Sequence, residues 1–386
     1  MQSSAFLPIF VTACVLALGT ACGSDSKNSS ASSGGGGGAG GDQGASGGNA
    51  SGGSVSACAT PPDLGVRFVG RVDGCDPRGA RYYWSGSGFV GRFNGTGVSV
   101  KLGDTSNQHT VLIDGELQPT LKTTTSEQLY PLATDLPAGE HTFEVYRRTE
   151  ASFGITLVES FEVSGGELLA PPAAPTRRIE VFGDSITCGY GDEGALPCTF
   201  GADTENHYGA YASVLARSLD AELHTVAFSG KGVIYNYNGD KQSPLPTMLD
   251  RVGPDDRKNL WSFAWKPDAV IINLGTNDFS TSNGPTNELF TEQYQTLLTR
   301  LRGYYPDAFI LCTVGPMLTG GMLSTTRTNI AAAVAARVAA GDTRVKAYEM
   351  TTLNAQPVGC DWHPNLATQE AMATELEPQL KSELGW

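Results

Sequence analysis

Arg177-Arg178-Ile179-Glu180-Val181-Phe182-Gly183-Asp184-Ser185-Ile186-Thr187-Cys188-Gly189-Tyr190-Gly191 decides the fold of this chain. Its first half is a short β-branched and aromatic run that reads as a buried strand and breaks at Gly183. The hydroxyl of Ser185 therefore stands where an apolar strand ends and a loop opens, the edge at which open α/β sheets hold their ligands.

Downstream of this stretch, strands and helices alternate. Ile179 to Phe182, Glu222 to Phe228, Ala269 to Leu274, Phe309 to Val314 and Val345 to Glu349 read as strands. Tyr208 to Leu219, Thr286 to Tyr304, Thr325 to Ala340 and Ala367 to Leu384 read as helices, with Leu289, Tyr294, Leu297, Leu298 and Leu301 on one side of the second. Alternation of this kind gives right-handed βαβ units, so 176–386 is expected to be a three-layer α/β domain around a mainly parallel sheet.

Upstream, 58–170 reads as all-β. Phe89 to Phe93, Val98 to Leu102, Thr110 to Asp114, Gly139 to Tyr146 and Ile155 to Val163 alternate apolar and polar residues, with Asn94-Gly95, Asp114-Gly115 and Pro137-Ala138-Gly139 as turns. Strands at this spacing predict a β-sandwich of the jelly-roll kind. His109 and His141 each stand alone in it and read as structural. Pro171-Pro172-Ala173-Ala174-Pro175 breaks the pattern and marks the boundary between the domains.

The first residues are a leader. Phe6 to Leu18 is an apolar run too short to span a bilayer, and it leads into Gly19-Thr20-Ala21-Cys22. It resembles a bacterial lipoprotein signal over 1–22 with Cys22 as the lipidation site; an ordinary secretory signal cut nearby is the other reading. Residues 23–57 are Gly, Ser, Ala and Asn with almost no apolar side chains, so they read as a flexible tether. Membrane contact is expected only through the anchor. Over 386 residues the net charge is −14, which disfavours nucleic acid and anionic carbohydrate and suits a neutral substrate.

The strand ends converge on one rim. The first strand ends in Gly183-Asp184-Ser185, the second in Ser229-Gly230-Lys231-Gly232 and the third in Gly275-Thr276-Asn277-Asp278, while Gly359-Cys360-Asp361-Trp362-His363-Pro364-Asn365 follows the fifth. A hydroxyl, a Gly-rich backbone, a carboxamide and an imidazole thus come from four separate loops. No cluster of His, Cys or carboxylates stands at metal-ligand spacing, and no cofactor is implied. Asp184 and Asp278 read as loop-cappers, and His207 follows a polar loop that nothing ties to Ser185.

These blocks resemble the SGNH hydrolase superfamily. More closely, Phe182 to Gly191, Asn273-Leu274-Gly275-Thr276-Asn277-Asp278-Phe279 and Cys360-Asp361-Trp362-His363-Pro364 resemble carbohydrate esterase family 2, as does Arg147-Arg148-Thr149-Glu150-Ala151 at the end of the β region. The resemblance implies a jelly roll joined to a flavodoxin-like SGNH domain that removes acetyl groups from plant polysaccharides, xylan and glucomannan among them. In that reading Ser185 is the nucleophile and His363 its base. The backbone N–H groups of Ser185 and Gly230 and the side-chain amide of Asn277 would hold the oxyanion, with Gly232 as the competing glycine. Asp361 is expected to orient the imidazole, a task that a backbone carbonyl can perform instead. Trp362 is either a sugar-stacking wall or a core plug.

Two alternatives stand beside the acetylesterase: another SGNH lipase or arylesterase, and an inactive carbohydrate-binding surface protein. The presence of Ser185, Asn277 and His363 together disfavours the second. Of eight cysteines, Cys14 leaves with the leader and Cys22 takes the lipid. The remaining six suit an oxidising compartment, and chain proximity pairs Cys58–Cys75 and Cys188–Cys198, leaving Cys312–Cys360 to pin the histidine loop.

Overall fold

The computed structural model describes residues 60–351 and 358–386, all belonging to one compact unit. The leader, the tether, Cys22 and Cys58 lie outside the described residues.

In chain order the β region holds β1 (Arg67–Val69), β2 (Val72–Asp73), β3 (Ala80–Tyr82), β4 (Gly88–Gly95), β5 (Gly97–Asp104) and β6 (Gln108–Ile113). It continues with β7 (Glu116–Leu117), β8 (Leu121–Lys122), β9 (Gln128–Ala133), β10 (Gly139–Arg147), β11 (Thr156–Ser164) and β12 (Glu167–Leu169). They form two antiparallel sheets, one in the order β1-β4-β10-β6-β7 with β12 on β4 and β8 on β6, the other β2-β3-β11-β5-β9. Inward-facing Phe89, Phe93 and Phe143 of the first meet Val100, Leu102 and Val158 of the second, which explains the period-two pattern of these strands. The lone histidines are structural: His109 Nε2 lies 3.2 Å from Asp104, and His141 is held between Asp114 and the Pro137 carbonyl.

The second region alternates β13 (Arg177–Gly183), α1 (Ser185–Cys188), α2 (Tyr211–Ser218), β14 (Ala221–Ala227), β15 (Ala269–Asn273), α3 (Thr276–Phe279) and α4 (Asn287–Tyr304). It ends with β16 (Phe309–Val314), α5 (Gly320–Ala339), β17 (Val345–Glu349) and α6 (Leu366–Leu384). All five strands are parallel, in the order β14-β13-β15-β16-β17. Val270, Ile272, Ile310 and Cys312 face α4 and α5, whereas Ile179, Val181, Ile271 and Leu311 face α2 and α6. Because the inner strands β15 and β16 are covered on both sides, they read as nearly unbroken apolar runs, whereas the edge strands β14 and β17 carry polar residues. The order reverses between β13 and β15, so a crevice opens there at the carboxyl ends, and the residues after both strands line it.

Glu180 interrupts the apolar run of β13, and the sandwich supplies the reason. The Arg71 guanidinium reaches Glu180 at 2.9 Å, both side chains wholly buried, and also donates to the carbonyls of Leu249 and Arg251. Trp84, likewise buried, donates to the Val252 carbonyl at 2.8 Å. The sandwich is therefore fastened to the sheet domain by a desolvated ion pair. Removing one partner of such a pair costs about 3–5 kcal/mol, because the other charge stays buried alone. In urea unfolding, Arg71→Met is expected to lower the unfolding free energy by that amount and the midpoint with it, and Arg71→Met with Glu180→Leu to recover most of it. A double variant no more stable than the single one would contradict this account.

Candidate active site

Ser185 is placed by a cap. After β13 the Asp184 carboxylate accepts from the N–H of Ile186 at 3.1 Å and starts α1, so Ser185 becomes the first residue of that turn, 7% exposed. Its Oγ lies 2.8 Å from Nε2 of His363. The other ring nitrogen, Nδ1, lies 3.2 Å from the backbone carbonyl of Asp361. A carbonyl accepts only, so the ring proton sits on Nδ1 and Nε2 is left to take the serine proton.

The Asp361 side chain is elsewhere. Its carboxylate accepts from the Tyr190 hydroxyl at 2.9 Å, and the Tyr190 ring stacks on the His363 imidazole at 4.2 Å. What turns the carbonyl toward the ring is the backbone, with Asp361 at φ 49° and Trp362 at φ 61°. Two non-glycine residues in the left-handed region cost about 1–3 kcal/mol each, and here the strained turn points at the His363 ring. Burial of the imidazole pushes the His363 pKa down to about 4, the Asp361 carbonyl opposing this only in part.

Around the position an oxyanion would occupy, donors differ in availability. Among the described residues no acceptor is paired with the backbone N–H of Ser185 or of Gly230, whereas the N–H of Gly232 donates to Asn236 at 3.3 Å. Gly230 has φ 76°, and a Cβ at Gly232 would come within 2.4 Å of Asp278, so the second glycine serves close packing. Asn277 divides its amide between the Lys231 carbonyl at 2.9 Å and the Asp184 carboxylate at 3.2 Å. Asp278 accepts from the N–H groups of Val233, Ile234 and Tyr235 and so holds the glycine loop, the capping role read from sequence for both acids.

The cysteine pairing needs correction. Cys360 is bonded to Cys198, with 5.0 Å between Cα atoms and a sequence separation of 162. Cys188 and Cys312 are free and buried. Neither Cys188–Cys198 nor Cys312–Cys360 forms. Cys188 closes α1 facing Glu150 and Glu205, and Cys312 points from mid-β16 into the core beside Tyr294, so neither reaches the loops above the sheet. The pairing expected for Cys75 rests on Cys58, outside the described residues. The observed bridge, with the Cys360 N–H on the Gly191 carbonyl and the Leu366 N–H on that of Asp192, ties the histidine loop to the segment after α1.

His207 does not face the crevice. It is buried between the Thr187 carbonyl and the Thr225 hydroxyl. Trp362 is 68% exposed beside His363, which removes the core plug. Cys188, Glu150 and Glu205 bring ligand-type atoms within 4.8 Å of one another, a set drawn from three segments that spacing in sequence does not reveal.

Comparison with known proteins adds the lineage. The model of the carbohydrate esterase 2 N-terminal domain matches residues 68–172, and that of the GDSL-like lipase/acylhydrolase family matches 181–371. A solved family two carbohydrate esterase from Clostridium thermocellum, in complex with cellohexaose, is 36% identical with a TM-score of 0.81, covering 83% of this chain and 99% of that one. The chain belongs to carbohydrate esterase family 2. Cellulase/esterase CelE of Acetivibrio thermocellus is 37% identical over 83% of this chain, which spans only 40% of that longer protein. An acetylxylan esterase / glucomannan deacetylase of Cellvibrio japonicus is 28% identical, over 72% of this chain and 76% of its own length.

Within this family framework the Arg147-Arg148-Thr149-Glu150 segment acquires a structural reading. Arg147 folds onto the carbonyls of Thr149 and Glu150, Arg148 pairs with Glu193, and Glu150 reaches the loop after β14. Tyr190 and Glu150 stand in the family-like blocks, but spacing in sequence gives neither a role. Tyr190 works through its hydroxyl on the Asp361 carboxylate and its ring on the imidazole, Glu150 through a contact between domains.

Proposed function

We propose that this chain is a carbohydrate O-acetylesterase acting on neutral acetylated polysaccharides or oligosaccharides of the xylan and glucomannan type. The observation that carries the reading is the 2.8 Å contact between Ser185 Oγ and His363 Nε2 at the sheet's switch point. Ser185 Oγ attacks the acetyl carbonyl while Nε2 takes its proton. The tetrahedral oxyanion is held by the N–H groups of Ser185 and Gly230 and by the Asn277 amide. Collapse breaks the bond to the sugar oxygen, which leaves with the proton from His363, and acetyl-Ser185 remains. Water, deprotonated by the same imidazole, attacks the acyl group, acetate departs and Ser185 regains its proton. Exposed Trp362 and Tyr237, the latter beside Gly230, offer flat faces on which a neutral sugar ring can lie.

Acetate release from acetylated xylan and glucomannan, measured beside hydrolysis of 4-nitrophenyl acetate and a long-chain ester, tests the proposal. Preference for the long chain would favour the lipase reading; sugar binding without hydrolysis would favour the inactive one. Among the described residues no helix is long and apolar enough to cross a membrane. Export and anchoring through Cys22 remain part of the proposal, tested by lipid labelling of wild type against Cys22→Ser.

The pH dependence follows from His363. The base works neutral, so activity is present above its pKa and lost as pH falls through it. With the pKa near 4 against an ordinary value of 6.5, kcat/KM is expected to hold its plateau well below pH 6. Asp361→Asn keeps the carbonyl and is expected to lose less than about tenfold in kcat, where an orienting carboxylate would cost about 10⁴-fold. A loss of the larger size would return the carboxylate to the role of orienter.

A further inference from the structure

We infer that Glu150, which belongs to the sandwich region, is a positioning residue for the oxyanion donor of the other domain. The inference rests on the esterase reading above and concerns a contact that reading does not use. Glu150 is 2% exposed and its two carboxylate oxygens are both engaged: Oε2 accepts from the N–H of Ser229 at 2.8 Å and Oε1 from the Ser152 hydroxyl at 2.6 Å. Ser229 immediately precedes Gly230, whose N–H is unpaired among the described residues.

The direction of one peptide N–H depends on the orientation of the peptide before it. Here the loop after Gly230 is held by its own turn, with the Tyr237 N–H on the Gly230 carbonyl at 2.8 Å, and by the Asn277 amide on the Lys231 carbonyl at 2.9 Å, and three further contacts flank it. The Phe228 N–H donates to the Gly183 carbonyl at 3.2 Å, Glu150 holds Ser229, and Asp278 holds Val233 to Tyr235. Of these, Glu150 lies next to the donor and is the only one that comes from the sandwich region. Glu150 is itself set firmly, with its N–H on Glu205 Oε2 at 3.0 Å and its carbonyl taking the Arg147 guanidinium at 2.9 Å. The sandwich thus reaches the loop that carries Gly230 through this carboxylate, which bonds the Ser229 backbone and not Ser185.

The requirement is for an acceptor at the right reach and not for charge, which separates three variants of the full chain. Glu150→Gln keeps an acceptor oxygen and is expected to stay within about threefold of wild type. Glu150→Met keeps volume and removes the acceptor; Glu150→Asp keeps charge and loses reach. Both are expected to lower kcat on 4-nitrophenyl acetate by ten- to a hundredfold, as displacement of a catalytic group by about 1 Å does, with KM within about threefold. A boronic acid, which forms a tetrahedral adduct on Ser185 with an oxygen in the oxyanion position, should bind more weakly by the same factor as kcat falls.

Rates are taken per active site by titration with an organophosphate, so that misfolded enzyme does not count. A purely structural role would lower the titratable fraction and leave kcat and the boronate constant unchanged, overturning the inference. So would a Gln variant as slow as Met, or a Met variant at wild-type rate. Should Met fail to fold, Asp at wild-type kcat overturns it and Asp reduced with Gln intact supports it. Wild type without turnover on any acetyl ester would instead bring down the esterase reading itself.

Discussion

Ser185→Ala and His363→Ala are each expected to lower kcat on an acetyl ester by about 10⁴–10⁶-fold, and the double variant to be no slower than the worse of the two. The reason is the single hydrogen bond between them, 2.8 Å from Oγ to Nε2. A serine hydroxyl is a weak nucleophile until its proton has somewhere to go, and an imidazole at that position has no task without the serine. Once either is gone, the oxyanion donors and substrate binding alone provide about 10³-fold over water. Ser185→Ala removes one oxygen from a capped turn, so the melting curve should stay where it is. Single-turnover kinetics with each variant, scored against circular dichroism of the same samples, make the comparison. If His363→Ala kept a tenth of the wild-type rate, another group would be the base.

How far this was legible in sequence differs between backbone and site. The β-branched run ending in Gly183-Asp184-Ser185 carries its own strand signal, and Phe309–Val314 and Val345–Glu349 appear at the bounds read from pattern alone. Phe309–Val314 is covered on both faces and so is apolar nearly throughout, whereas the edge strand Val345–Glu349 shows by alternation, with Lys346 and Glu349 among its half-buried positions. Helix α5 is the counter-example: it starts at Gly320, five residues before the point read from sequence, because Gly320, Gly321 and Met322 are exposed and its first turn presents no apolar period to read. The short sandwich strands β1 to β3 and the strand Gln128–Ala133 have too few alternations to be seen.

The site was legible where a side chain does the chemistry and illegible where the backbone does. Ser185 and His363 announce themselves by type and by their place at strand ends. The sequence points first to the Asp361 carboxylate, with a backbone carbonyl as the alternative, and it is the φ of 49° that brings the carbonyl to the ring. Chain proximity failed for Cys188 because it is the direction of the side chain that selects a partner, and α1 turns that thiol inward. Arg71 was silent, and Glu150 showed only as part of the block at 147–151, because contacts between domains leave no spacing in sequence.

Asn277→Ala is expected to cut kcat by about 10²–10³-fold, or about 2.7–4 kcal/mol of barrier, with KM little changed. In the resting site both amide hydrogens are occupied, one by the Lys231 carbonyl at 2.9 Å and one by Asp184 at 3.2 Å. The longer bond is the one an oxyanion can take over. Asp184 is suited to yielding it: burial, with Asp278 close by, pushes its pKa up to about 7, and a protonated carboxyl accepts more weakly than a carboxylate. The ground-state acetyl oxygen carries little charge and competes poorly, whereas the tetrahedral oxygen carries a full one, so the exchange stabilises the transition state selectively. Loss in kcat with KM unmoved, and a parallel weakening of a boronate inhibitor, is the pattern that results. A loss below about tenfold would mean that the two backbone donors at Ser185 and Gly230 suffice and that Asn277 acts through the Lys231 carbonyl alone.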